Sequence, residues 1–472
     1  MNPKTELEPK ILEDKLEDKE ESAVRRWLNA RASFVVAVAF VLFAARLFHL
    51  ISKYAVNIFF SDQWEFNDAT LFQKHTIWQM FAWQHGQHRQ GLSALFSKLV
   101  EPHLGWNSRT ESFIAGGIIV AAAACALWLR RRLGGALSFS DLVIPAVFFT
   151  PAQWETLVGT PNFAHGPFPL LLIVLYCLAW TSTKKEARYP LVLLINFVSI
   201  YTGFGLFVGL LTPILLFLDN RSNAVESRLP RIWFAGSLLV SLASLGSFFI
   251  GYRFIEDLSC FSLRPTSFRS YVGFMGLMFA NFFAIRGTGL LPRTTGIIIL
   301  VVLVASLATA VWRLLRRRQA LNMPWPDQKR LLITTALIAY CLLFCMNTAY
   351  GRSCAGWLAA RSSRYAIYLG LGMLGFYFHL LGIRRDRARK WLLAALLAPV
   401  FLASLHVDRR SMDRMREVKH TWKACYFQTE DIKKCDQAVG VPLFGRAPER
   451  AHLQEKLQYL KNTHQNLYLD SK

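Results

Sequence analysis

Unbroken apolar runs recur along nearly the whole chain, and nothing else in the sequence constrains its fold so strongly. Stretches such as "SFVVAVAFVLFAARLF" and "TGIIILVVLVASLATAVW" lack the polar periodicity of a surface helix in a soluble protein. A bilayer core takes about 20 mostly apolar residues per spanning helix. With 53% hydrophobic residues and a mean hydropathy of +0.28, the 472-residue chain is expected to be an all-α polytopic membrane protein. Spans are expected at roughly 31–52, 113–129, 141–152, 166–181, 189–201, 204–219, 231–252, 294–312, 331–350, 366–383 and 391–407.

Charge then assigns sides. The chain carries 54 Lys and Arg against 31 Asp and Glu, a formal net charge of +23. In a soluble protein that excess would point to nucleic acid. Here the basic clusters abut apolar runs: "RRR" at 130–132, "KKEAR" at 184–188, "RLLRRR" at 313–318 and "RRDRARK" at 384–390. Cytosolic loops retain positive charge, so no nucleic-acid partner is expected. With the N-terminus inside, eleven crossings bring every cluster to the cytosol and leave the C-terminus outside. The stretch "SYVGFMGLMFANFFAIRG" (270–287) is apolar enough to cross, yet a crossing would turn "RLLRRR" outward. It is therefore expected to be a re-entrant or interfacial helix on the outer side. The organisation that follows is a charged cytosolic segment at 1–30, disordered or loosely helical, a transmembrane domain at 31–407 with its first outer loop at 53–112, and a small outer tail at 408–472.

Of eight cysteines, Cys125, Cys177, Cys341 and Cys345 fall within spans as small apolar residues. Cys425 and Cys435 stand ten apart in the outer tail, where an oxidising compartment favours a disulfide. Cys260 and Cys354, also outside, could form a second.

The outer side collects the candidate chemistry. In "FFSDQWEFND" (59–68), Asp62, Glu65 and Asp68 follow i, i+3, i+6 and would share one helix face, a suitable source of a general base. In "WQHGQHRQG" (83–91), His85, His88 and Arg89 follow i, i+3, i+4 and would converge on a phosphate, for which a guanidinium offers a planar fork. Around them "ATLFQKHTIWQMFAWQ" and "LSALFSKLVEPHL" have the pattern of helices lying in the headgroup layer. Arg352, Arg361 and Arg364 in "GRSCAGWLAARSSRY" lie outside, against the positive-inside trend. An anionic ligand explains them, as would lipid phosphates or pairing with Asp62 and Glu65. In "AQWETLVGTPNFAHG", Gln153, Trp154 and Glu155, followed by Asn162 and His165, read as a substrate-binding wall, which Trp64 and Tyr365 extend. No cofactor is required, but Asp62, Glu65, His85 and His88 could hold a divalent metal such as Mn²⁺ or Zn²⁺. Acids able to deprotonate a hydroxyl, beside cations able to hold a phosphate, suit group transfer from a phosphate-bearing lipid. A phosphate leaves as an anion without a general acid, and displacement with a single base inverts the anomeric carbon.

The order of these features resembles the GT-C class of integral-membrane glycosyltransferases, loosely over residues 31–407. More closely, "SDQWEF", "HGQHRQGL" and "SSRY" are similar to a group of bacterial membrane proteins with an acidic-aromatic motif, an H-x-x-H-R motif and an S-R-Y motif in that order. The resemblance implies Asp62 as base with Glu65 beside it, and His88, Arg89 and Arg364 as phosphate contacts. Gln63 stands where a second adjacent acid is common, so either Asp62 or Glu65 could be the base. It further implies a bacterial inner-membrane enzyme working on the periplasmic side, with a polyprenyl-phosphate-linked monosaccharide, hexose or pentofuranose, as donor. The acceptor would be O-antigen, another envelope glycan or lipid, or an exported protein such as a pilin. Two alternatives stand beside it: a flippase or transporter of lipid-linked sugars, which needs polar residues at mid-depth, and an O-antigen polymerase or ligase, which concentrates its chemistry in a large late loop.

Overall fold

The computed structural model describes residues 7–222, 228–254, 267–316, 323–445, 449 and 451–469, with side chains from residue 30 onward except 185, 222 and 228–231. Its first helix, Leu7–Tyr54, runs 48 residues without a break. The charged segment expected to be disordered or loosely helical continues it, because 10–54 contains neither Gly nor Pro and is rich in Glu, Lys, Leu and Ala.

Among the described residues six helices are long and apolar enough to cross a bilayer: Ala30–Tyr54, Ser108–Gly134, Gly203–Arg221, Leu290–Leu315, Trp325–Ala355 and Asp386–Thr429. The other five expected spans each overlap a further helix: Val143–Phe148, Pro167–Trp180, Lys185–Ile200, Arg228–Ser247 and Ala366–Leu381. The expected span at 141–152 is thus cut to six helical residues, the chain turning extended at Thr150 before Pro151.

Among the described residues, members of the basic clusters gather at one end of the bundle, and Arg130 and Arg188 are paired there. Asp219 accepts from Arg188 (2.8 Å) and Tyr189 (3.0 Å) and binds Lys329. Asp141 accepts from Arg130 (2.8 Å) and Tyr377 (2.6 Å). The helix Phe268–Phe282 belongs to the opposite end. Gly273 lies against Arg293, Gly276 against Gly296 and Ile297, and Phe282 against Gly370. Contacts that advance together along both chains mean that this helix and Leu290–Leu315 start at the same end, so residues 283–289 must return the chain to where it entered. The approach needs glycine: a Cβ on Gly296 would sit 1.7 Å from the Gly276 carbonyl oxygen.

Residues 408–469 are not a free tail. Helices Arg409–Thr429 and Ile432–Val439 are joined by the disulfide Cys425–Cys435, with Cα atoms 5.6 Å apart, and Leu453–Asn462 follows. They share a second core with the first loop, centred on Phe59, Trp64, Trp106, Trp422 and Leu457. Asn466 fastens the seam: its Nδ2 donates to Trp106 O (2.6 Å) and its carbonyl accepts from Asn57 Nδ2 (2.6 Å). Cys354 is disulfide-bonded, and Cys260 lies outside the described residues.

Candidate active site

The first loop begins with a sharp turn at Ser61, whose φ is +55°, and opens the helix Gln63–Asn67. Gln63 fixes this helix to the bundle. Its Oε1 accepts from Phe60 N (3.1 Å), while its Nε2 donates to Ser108 Oγ (3.0 Å) and Glu111 Oε2 (2.7 Å). A second acid at 63 would instead face the buried Glu111 carboxylate, so the amide here is a structural requirement. Asp62 and Glu65 are left facing a cavity of about 370 Å³.

The expected helical face of His85, His88 and Arg89 is absent. Residues 84–85 and 88–89 pair as a two-residue β-hairpin, His85 opposite His88 and Gln84 opposite Arg89. Gly86 takes the first turn position at φ +56°, where a side chain would be strained. Opposite residues share a face and successive ones alternate, which sends both imidazoles into the cavity and Arg89 away from it. Arg89 is 4% exposed and its guanidinium is committed to backbone. Nε and Nη2 donate to Phe248 O (3.2 and 3.0 Å), Nη2 to Ile250 O (2.5 Å), and Nη1 to Ala82 O. On the same face Gln84 clamps Arg253 through its backbone N–H (3.0 Å) and carbonyl (2.6 Å). Arg89 is therefore no phosphate contact.

In the cavity His85 bridges the acids, with Nδ1 on Glu65 and Nε2 3.9 Å from Asp62. Arg352 and Arg364 line the same space. Glu155 fastens Arg364 at 2.9 Å and accepts from Ser362 Oγ (2.8 Å), itself an acceptor from Arg364 Nε (3.0 Å). Burial alone would raise the Glu155 pKa, but Arg364 and the two serine hydroxyls outweigh it and hold the carboxyl below its usual value. Asp62 also contributes to keeping Arg364 charged.

His88 makes edge contacts with His165 (5.3 Å between centroids) and Phe204 (4.5 Å). Burial first, then the nearby His85 and Arg352, push its pKa down to about 4. His165, part of the expected wall, is held well below the usual histidine value by burial first and then by His88, His85, Arg364 and Arg352, and stands 3.0 Å from Gln90 Nε2. Asn162 positions it by capping the turn Phe163–His165, accepting from Ala164 N (3.0 Å) and His165 N (3.1 Å). Tyr365 lines the cavity, joined by residues that sequence patterns did not single out: Tyr368, Asn347, Phe204 and, from the C-terminal segment, Phe444.

Other expected contacts lie elsewhere. Trp64 is fully buried between Phe59 and the C-terminal helices, because its helix turns that face to the second core. Gln153 is buried and donates to Phe148 O (2.6 Å), tying its turn to the end of the preceding helix Val143–Phe148, and Trp154 packs on the transmembrane core. Arg361 is off the cavity: its carbonyl accepts from Asn281 (3.0 Å), and its Nε is buried without a partner among the described residues. Asp68 turns away to Lys456 (3.2 Å) and Gln73 (2.7 Å). No group of three or more His, Cys, Asp or Glu side chains among the described residues converges to hold a metal. Of the residues considered as metal ligands, His85 turns Nδ1 to Glu65 and Nε2 toward Asp62.

The fold and the site together define a predominantly helical, multi-pass membrane protein with acids and arginines facing one cavity at one end of its bundle. No family model and no curated protein matches the chain. Among solved structures it resembles the archaeal oligosaccharyltransferase AglB from Archaeoglobus fulgidus, determined in complex with an inhibitory peptide and a dolichol-phosphate. Identity is 12% and the TM-score 0.39; the match covers 86% of this chain and 59% of that one.

Proposed function

We propose that this protein is a bacterial inner-membrane glycosyltransferase that moves a monosaccharide from a polyprenyl-phosphate donor to an envelope hydroxyl on the periplasmic side. One observation carries this: Asp62 and Glu65 face Arg352 and Arg364 across a single cavity. A carboxylate takes the acceptor proton while the guanidinium groups stabilise charge on the departing phosphate. With one base and an anionic leaving group, displacement inverts the anomeric carbon. His85 orients the acids, Glu155 orients Arg364, and Arg89 acts as a positioning residue by fixing the hairpin.

The sidedness is supported by the Cys425–Cys435 disulfide at the cavity end and the paired basic clusters at the other. A lipid-borne donor is supported by an apolar groove of about 840 Å³ beside the re-entrant segment, walled by Ile298, Val302, Met373, Phe376 and Leu396. It starts at Phe283–Ile285, two residues past the Asn281 that holds the loop carrying Arg361 and Arg364. A flippase is less well supported, since the charged cavity lies at one end of the helices. The late loop here is short, which disfavours a polymerase or ligase.

Mass spectrometry of envelope glycans and surface proteins, comparing cells with the chain, without it and with variants, tests this. Replacing both acids (Asp62→Asn with Glu65→Gln) is expected to reduce transfer by about 10²–10⁴-fold, with the protein still inserted. Full transfer by that double variant refutes the proposal.

A further inference from the structure

A second cavity, of about 250 Å³, lies between the first loop and the C-terminal segment. It touches the first cavity at Glu65 and Phe444, which line both. Its other walls are mostly polar and of mixed sign, with Asp68, Gln73, Gln84, His452 and Lys456 beside Trp83 and two alanines. The Lys456 side chain is 3% exposed, an ammonium withdrawn from solvent and aimed at Asp68 Oδ1 (3.2 Å) and Trp64 O (3.3 Å). Arg352 and Arg364 do not line this space.

We propose that this second cavity seats the sugar residue of a carbohydrate acceptor, whose hydroxyl reaches the donor past Glu65; the inference rests on the glycosyltransferase function above. Inverting displacement needs the nucleophile opposite the leaving group. Cations for the phosphate on one side, an acid in the dividing wall and a separate polar chamber on the other side meet that need. The acceptor oxygen attacks the anomeric carbon as the bond from that carbon to the phosphate oxygen breaks. The electron pair leaves with the polyprenyl phosphate, and the hydroxyl proton passes to the Glu65 carboxylate. Glu65 is the base because it alone of the two acids borders both chambers. Carboxylates, an amide and an ammonium set close together match a ring of hydroxyls, each both donor and acceptor. The space holds a single sugar ring. An extended peptide would call for an apolar side-chain pocket or a free strand edge, and among the described residues the walls offer neither.

Gln73 is exposed at the cavity wall, so Gln73→Trp obstructs the space at little cost to folding. Lys456→Gln changes its charge from within. Both are expressed as the full chain in cells lacking the native copy. Released envelope glycans, surface-protein peptides and polyprenyl-phosphate sugars are then compared by mass spectrometry. The expected result is a tenfold or greater loss of the added sugar mass from a glycan in Gln73→Trp, with the lipid-linked donor accumulating and protein level unchanged. Unaltered glycan modification in both variants, with the modification absent from cells lacking the chain, overturns the acceptor cavity alone. Loss of a sugar mass from peptides and not from glycans overturns a carbohydrate acceptor. Identical glycans, peptides and lipids with and without the chain would overturn the glycosyltransferase function itself.

Discussion

Arg89→Ala separates two roles that the sequence alone makes equally attractive. If Arg89 gripped the donor phosphate, its loss would weaken donor use and leave the fold intact. The structure commits the guanidinium to three backbone carbonyls, Ala82, Phe248 and Ile250. Each buried carbonyl left without a donor costs about 1–3 kcal/mol. Water can reach part of this segment, so the net loss is on the order of 3–5 kcal/mol, as for other broken buried charge contacts. Lysine does not restore it, because one ammonium cannot span three acceptors in a plane. The loss should be local, concentrated where the hairpin 84–89 meets 248–253. Hydrogen exchange on the detergent-solubilised protein reads it directly: amides of 82–90 and 248–253 should exchange faster in both Arg89→Ala and Arg89→Lys, with a lowered Tm. Donor KM should change only as far as His85 and His88 are displaced. An Arg89→Ala protein with native exchange and Tm, but a KM for donor raised tenfold or more, would refute the positioning role and restore the phosphate contact.

The ion pair between Glu155 and Arg364 predicts an acid limb in stability. The folded-state pKa of Glu155 is depressed, so its contribution is complete above the ordinary carboxylate value of 4.5 and is lost as pH falls through the lower folded value. Thermal unfolding against pH should show Glu155→Gln less stable than the parent near neutrality, the two curves converging in acid; parallel curves would contradict this. For the apolar groove, Ala395→Trp fills its exposed wall. It should raise the KM for a long-chain polyprenyl donor several-fold while a short-chain donor analogue is used as before. Equal effects on both donors would remove the groove from the lipid's path.

The legibility of this chain followed the length scale of each signal. Runs of twenty apolar residues and the segregation of basic clusters are averages over many positions, so single exceptions did not disturb the helical bundle or its two ends. Short proline-bearing stretches were harder: Val143–Phe148 is six residues because Thr150 precedes a proline, which a hydropathy window smooths away. The site depended on still finer features. Asp62, Glu65, Arg352 and Arg364 could be gathered from charge placed against the trend of a membrane protein, and they do meet at one cavity. The H-G-Q-H-R stretch could not be read that way, because a 3.6-residue period and a two-residue hairpin both bring His85 and His88 together. They differ only at the next residue, where the helix would add Arg89 to the imidazole face and the strand removes it. Gly86 between the histidines was the signal that decides for the hairpin.

The contribution of the C-terminal segment had no local signal at all. Trp64 resembles a sugar-stacking residue beside the acids until Trp422, Leu457 and Leu460 are brought across more than 350 residues of sequence to cover it. That contact turns an apparent ligand platform into core, and it has a second effect. The same packing places Phe444 in the wall of the first cavity and Lys456 beside Asp68. The three acids of the opening motif are thereby divided: Asp62 and Glu65 stay on the arginine side, and Asp68 goes to the polar chamber beyond. A stripe of carboxylates at i, i+3, i+6 predicts one acidic face. The C-terminal segment makes it a partition, and Glu65 is the member that lines both chambers.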